Sequence, residues 1–123
     1  MKFQPDPSTA QTISGYGPGW ISMGAEKITR SVIIGSGGLR QEWPCARFED
    51  LRPEHFAQLA ALDAQIILFG SGARTRFPPA AWLAPLIARR LSLESMDTRA
   101  ACRTYNILAG EGREVAAALL LEA

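Results

Sequence analysis

The sequence predicts a single α/β domain with a partly parallel sheet. Three observations predict it. After residue 50, apolar strand-like runs alternate with helical patterns, as expected of strands joined by crossovers. Residues 66–69, IILF, form a continuous branched and aromatic run that suits a strand buried on both faces. A chain of 123 residues has the length of one domain. It can bury roughly two-thirds of its unfolded surface, so the core needs neither disulfide nor metal.

Taken in order, residues 1–11 are polar and proline-bearing and read as a flexible N-terminal arm ahead of a domain over 12–123. Residues 13–20, ISGYGPGW, are broken by Gly15, Gly17, Pro18 and Gly19 and read as a loop with a short strand at either side. Residues 20–30 look like a hairpin turning at Gly24-Ala25. Residues 31–34 are a β-branched run ending in Gly35-Ser36-Gly37-Gly38, and residues 39–45 read as a connection containing Pro44.

Pro53 suits a helix start, because its missing N–H has no helical partner there. That helix runs to about Leu62, with Phe56, Leu59, Ala60 and Leu62 inward. Residues 65–69 are the central strand. Residues 79–91 read as helical, with Trp82, Leu83, Leu86 and Ile87 on one stripe. Pro85 lies inside that stripe and predicts a kink, or a short irregular turn before the helix proper. Residues 92–96 are a short strand. Asp97 is a natural N-cap for a helix from Thr98 to about Ala109, stopped by Gly110 or Gly112. Residues 115–121, VAAALLL, are an apolar final strand.

A net charge of +1 gives no overall attraction to nucleic acid or an anionic membrane, and no sustained basic-aromatic interleaving appears. The charge is uneven, however. Residues 74–113 carry seven arginines against Glu94, Asp97 and Glu111, and eleven of the thirteen basic residues are arginine. Arginine favours fixed, forked contacts. No apolar run approaches the ~20 residues of a membrane span. The N-terminus carries no signal-like apolar stretch, and Cys45 and Cys102 form no CxxC pair. Reduced thiols in a cytoplasmic protein are the expectation.

The glycine turns are the first candidates for chemistry. A dinucleotide fingerprint needs a third glycine where Arg40 and Thr75 stand, and neither turn ends in the lysine of a P-loop. What remains is that backbone N–H groups around Gly70, Ser71 and Gly72 hold an anion or a carbonyl, or that the glycines simply make tight turns. Arg74 and Arg76 follow that turn. Arg99 and Arg103 are four apart and share a helix face that Asn106 continues.

If the strand ending at Met96 lies beside the strand ending at Phe69, Arg74, Arg76, Arg99 and Arg103 converge at one sheet edge. With Asp97 at that edge they form a candidate anion or carboxylate site. The alternative is ion pairing with Glu94, Asp97 or Glu111.

The catalytic inventory is poor. His55 is the only histidine and reads as solvated or packed. Cys102 is either activated by nearby arginines or, more in keeping with free cysteines, a buried small residue. No catalytic residues, metal ligands or cofactor are assigned. Trp82 belongs to the core by its stripe. Trp43, beside Pro44, is expected to lie exposed as a partner-binding anchor.

The segment ESMDTRAACRTYNILAGEGREVAAALL, with LFGSGARTRFPP and GYGPGWISM, resembles a known family. It is similar to the small α/β domain family that includes mitochondrial complex I (NADH:ubiquinone oxidoreductase) assembly factor 3 and the adipogenesis-associated Mth-domain-containing protein. The resemblance covers about residues 12–121. It implies three layers and a central mixed, mostly parallel sheet flanked by helices, with extra strands from the N-terminal half. It implies no established enzymatic activity and points to a protein partner. The natural reading is a bacterial relative. Two functions follow: a non-catalytic interaction domain aiding assembly of a respiratory complex, or a small-anion or carboxylate binder (or an enzyme) using the turn at Gly70–Gly72 and its arginines.

Overall fold

The computed structural model describes residues 11–122. The expected arm therefore lies outside the described residues, save for Gln11. Its side-chain amide donates to the carbonyls of Gly35 and Leu39 at 3.0 and 2.6 Å.

The elements run β1 (Gly15–Gly17), β2 (Trp20–Met23), β3 (Glu26–Ile28), β4 (Val32–Gly35), β5 (Arg40–Glu42), α1 (Pro53–Ala60), β6 (Ile66–Gly70), α2 (Ala84–Ala88), β7 (Ser92–Met96), α3 (Thr98–Gly110) and β8 (Val115–Leu119). The first three strands form a small antiparallel sheet, in which Ile21 pairs with Ile28 across the expected hairpin. The other five form a mixed sheet in the order β5-β4-β8-β6-β7.

This mixed sheet corrects the expectation that it is mostly parallel. β8, β6 and β7 are parallel, whereas β5, β4 and β8 are antiparallel. The insertion of β8 beside β4 accounts for one antiparallel pair, and the glycine turn after β4 accounts for the other, β4 with β5. A connection that tight joins only antiparallel strands, while parallel pairs need a crossover. β5, with sequence RQE, and β1, with sequence GYG, carry no alternating apolar pattern, so periodicity misses them.

Side chains alternate across the large sheet. Ile34, Leu68, Ala117 and Leu119 join Ile21, Met23, Ala101, Cys102 and Tyr105 in a core shared with the small sheet and α3. Ile33, Ile67, Phe69, Ala116 and Ala118 face the other way, into a core with Trp43, Phe56, Leu59 and Leu86. The interior strands are apolar throughout because both their faces are covered.

Trp43 is a second correction. It is 1% exposed, not a surface anchor. Its indole meets Phe56 and Phe69 edge-on at 6.1 and 5.9 Å between ring centroids. Such T-shaped pairs suit the ring quadrupole. The residues after β5 turn it beneath α1, where the aromatic cluster gains more from burial than a loop position suggests. Trp82 packs against the same core and is half-buried.

The stripe at residues 79–91 holds only in part. A 3-10 turn over Ala80–Leu83 precedes α2, and Pro85 lies in the first turn of α2, where proline is tolerated. The helix proper is therefore five residues long. Leu86 is buried, but Ile87 is 68% exposed, because so short a helix cannot carry the stripe onward.

Candidate functional site

β6, β7 and β8 run parallel, and their carboxyl ends stop together: Gly70 is level with Met96 on one side and with Leu119 on the other. In open α/β sheets this edge is where ligands sit. Three segments leave it, namely residues 71–76, Asp97 with α3, and residues 120–122.

Their backbones are tied to one another. Ser71 N–H donates to the Met96 carbonyl at 2.8 Å, and Leu120 N–H to the Gly70 carbonyl at 2.9 Å. Thr98 is the knot. Its N–H donates to the Gly72 carbonyl at 2.9 Å. Its hydroxyl donates to the Leu120 carbonyl at 2.9 Å and accepts the Gly72 N–H at 2.9 Å. A Cβ on Gly70 would sit 2.9 Å from Leu119 Cδ2 and 3.1 Å from Thr98 Cα, so glycine permits this close approach. The Ser71 and Gly72 N–H groups thus both have acceptors within the protein.

Arg76 is held on the same edge. Its Nε and Nη2 donate to the Ser71 carbonyl at 3.2 and 2.6 Å. Nη2 also reaches Glu122 Oε1 at 2.6 Å, and Nη1 reaches Glu49 at 3.3 Å. The guanidinium lies 4.5 Å over the Phe48 ring, a cation–π contact. The other Glu122 oxygen accepts the Phe48 N–H at 2.6 Å. Ser71 Oγ donates to the Arg74 carbonyl at 2.8 Å and accepts the Arg76 N–H at 2.9 Å, which closes the turn.

A cavity of about 450 Å³ opens beside this network. Gly72, Thr98, Arg99 and Glu122 line one side, and Tyr16 to Gly19 of the β1–β2 turn line the other, with Leu120 and Leu121 as apolar wall. Arg103 reaches the Tyr16 hydroxyl at 3.4 Å. Arg74 is exposed. Asp97 does what its type predicts: its carboxylate accepts the Ala100 N–H at 2.9 Å. Asn106 is not part of this cavity's lining and binds the backbone of Ile13 instead.

Sequence reasoning missed Glu122, Thr98 and Tyr16. Glu122 was findable. Once the last strand is placed parallel beside β6, the residues that follow it must arrive at the same edge as Arg76.

The remaining reactive groups are committed elsewhere. Cys102 is fully buried, and burial pushes its thiol up to about 12. Burial also raises the Cys45 thiol, against the smaller opposing effect of its bond to the Arg47 carbonyl. Both cysteines are free. His55 Nδ1 accepts the Arg52 N–H at 2.9 Å, and Nε2 lies 3.0 Å from the Pro44 carbonyl. Among the described residues no group of His, Cys, Asp and Glu is placed to hold a metal, and no helix is long and apolar enough to cross a membrane.

Comparison with known proteins gives consistent likenesses. The model of a family described as protein of unknown function (DUF498/DUF598) matches residues 13–120. An uncharacterized protein of Rhodobacter capsulatus is 35% identical over 119 residues, covering 95% of this chain and 90% of that protein. A zebrafish (Danio rerio) NADH dehydrogenase [ubiquinone] 1 alpha subcomplex assembly factor 3 is 29% identical over 119 residues, covering 95% of this chain and 68% of that protein. Among solved structures, the solution structure of a Mth938-like domain from Bordetella pertussis superposes with a TM-score of 0.83 at 31% identity. That match covers all of this chain and 94% of the other.

Proposed function

The chain belongs to the DUF498/DUF598 family of proteins of unknown function, and from that membership we propose that it works as a non-catalytic protein-interaction domain assisting assembly of a respiratory NADH dehydrogenase. The observation that carries this reading is the likeness to an assembly factor over 95% of the chain. The chemistry supports it. Each candidate nucleophile or base is buried with a raised thiol pKa or has its ring nitrogens engaged by backbone. A cytoplasmic, bacterial setting fits the same reading. The test is deletion of the gene followed by native electrophoresis. Assembled NADH dehydrogenase should fall while other respiratory complexes hold their level. An unchanged amount of assembled enzyme overturns the proposal.

A second reading is favoured by the cavity at Gly72 and Arg99. In it the cavity takes a small carboxylate or other anion, with Arg99 as the cation at its wall. Arg103 and Arg74 complete the edge, and Arg76 is held in place by Glu122. The turn at Gly70–Gly72 shapes the wall without donating to the ligand, because the Ser71 and Gly72 N–H groups are engaged by Met96 and Thr98. A ligand of the native state must raise the melting temperature. Millimolar succinate or phosphate should do so for the wild type and not for Arg99→Ala. No shift in the wild type removes this reading.

A further inference from the structure

We propose that residues 74–90 form the docking surface for a partner segment whose apolar side chains are flanked by acidic ones. The proposal rests on the interaction-domain reading and names the surface and the partner's chemistry. Of the twelve residues 77–88, eight are exposed, and all eight are apolar. Phe77 is 70% exposed and Ile87 68%. Leu86 is buried and Trp82 packs on the core, so the segment is anchored from beneath while its outer side stays unpartnered. Contiguous exposed apolar surface of this kind marks a binding site, whereas single exposed hydrophobics do not.

Charge selects the occupant. Residues 64–93 contain four arginines and no Asp or Glu. Arg76 is answered by Glu49 and Glu122. Among the described residues, Arg74, Arg89 and Arg90 have no carboxylate within ion-pair distance, although Arg89 Nη1 donates to the Ala60 carbonyl. They flank the apolar stretch at both ends. A second copy of this chain would bring the same cations face to face, which disfavours self-association. Every cation here is arginine, whose planar fork pairs with carboxylates in fixed geometry. Phe77 with arginines at the rim also matches the composition of protein interfaces. A protein segment carrying carboxylates therefore fits better than an anionic bilayer, which reads only the sum of charge and apolar area.

The experiment uses the full chain in its native cell. A photoreactive benzoylphenylalanine replaces Ala81 or Ala84, or Glu111 on the far end of α3 as control, and crosslinked peptides are sequenced by mass spectrometry. Crosslinks from positions 81 and 84, but not 111, to a peptide bearing carboxylates beside apolar side chains are expected. The double variant Ile87→Asp/Arg90→Glu should cut them at least tenfold without changing the melting temperature, because both side chains are exposed. Crosslinks to lipid alone, or to a basic peptide, overturn the proposal in favour of a membrane or a different partner. Protein crosslinks from 111 that survive the double variant overturn this surface and leave the interaction-domain reading standing. No protein crosslink from any position overturns both.

Discussion

Asn106, in the third turn of α3, clamps Ile13 through both ends of its amide. Its Oδ1 accepts the Ile13 N–H at 2.8 Å, and its Nδ2 donates to the Ile13 carbonyl at 2.8 Å. The pairing imitates one rung of a β-ladder across 93 residues. It fixes where the chain enters the small sheet, and with it the β1–β2 turn that walls the cavity. Tyr105 assists from the next position, its hydroxyl donating to the Gln11 carbonyl at 2.5 Å. Asn106→Ala leaves an N–H and a carbonyl of a buried residue unpaired and should cost about 2 kcal/mol in urea unfolding. Asn106→Asp keeps the acceptor for the Ile13 N–H but sets a carboxylate oxygen against the Ile13 carbonyl, so it should not restore the loss. Hydrogen exchange at the Ile13 amide should accelerate in the alanine variant; unchanged exchange there would mean another group takes over the clamp.

Asp97 caps α3 through its bond to the Ala100 N–H. Asp97→Ala should lower stability by about 1 kcal/mol, and Asp97→Asn should retain most of it. A denaturation midpoint and slope unchanged in the alanine variant would show that the cap contributes nothing net.

What was readable in the sequence follows from which signals are local. The helix start at Pro53, the cap at Asp97 and the strand-to-glycine turn at Gly70 each declare themselves within a few residues, and the structure has them. β5 does not, because RQE on the sheet edge carries no apolar alternation, and the burial of Trp43 does not, because it depends on Phe56 and Phe69 arriving from elsewhere in the chain. The mixed sheet follows from β8 inserting between β4 and β6, a choice made by long-range packing. Glu122 is legible only by one further step, the placing of β8 beside β6. Its role exists only once β8 ends level with β6.

Titration gives a third prediction. Cys102 and Tyr105 both lie in the core under α3, and burial raises each to about 12, from ordinary values of 9.0 and 10.0. Both are neutral when protonated, so the folded state holds its protons longer than the unfolded state does. Where the folded state binds more protons, stability falls as pH rises. The loss begins near pH 9 for the thiol and near pH 10 for the phenol, and levels off above about 12. Each group contributes at most about 1.4 kcal/mol per pH unit in its window. The midpoint of urea unfolding should therefore decline between pH 9 and 11, less steeply in Cys102→Ala. Identical slopes in the two proteins would remove Cys102 as a source. In the native protein at pH 8, alkylation of Cys102 should be slow and should speed up only on unfolding.

Arg76 and Glu122 hold the candidate site's floor, and Gly72 is the residue that makes room for them. Their side chains are 17% and 16% exposed. Removing one partner of a well-buried pair costs about 3–5 kcal/mol. At this exposure solvent compensates in part, so Arg76→Ala should cost about 2–3 kcal/mol. Gly72 has φ +98, a region that other residues resist. A Cβ there would strike Glu122 Oε1 and lie 2.7 Å from Arg76 Nη2. Gly72→Ala should therefore lose about 2 kcal/mol from backbone strain and displacement of the pair together. A double-mutant cycle separates the two causes. With Glu122→Ala in the background there is no carboxylate to strike, so the cost of Gly72→Ala should shrink by at least about 0.5 kcal/mol. Strict additivity would mean that glycine is needed at 72 for its φ alone and that the ion pair accommodates a methyl group without loss.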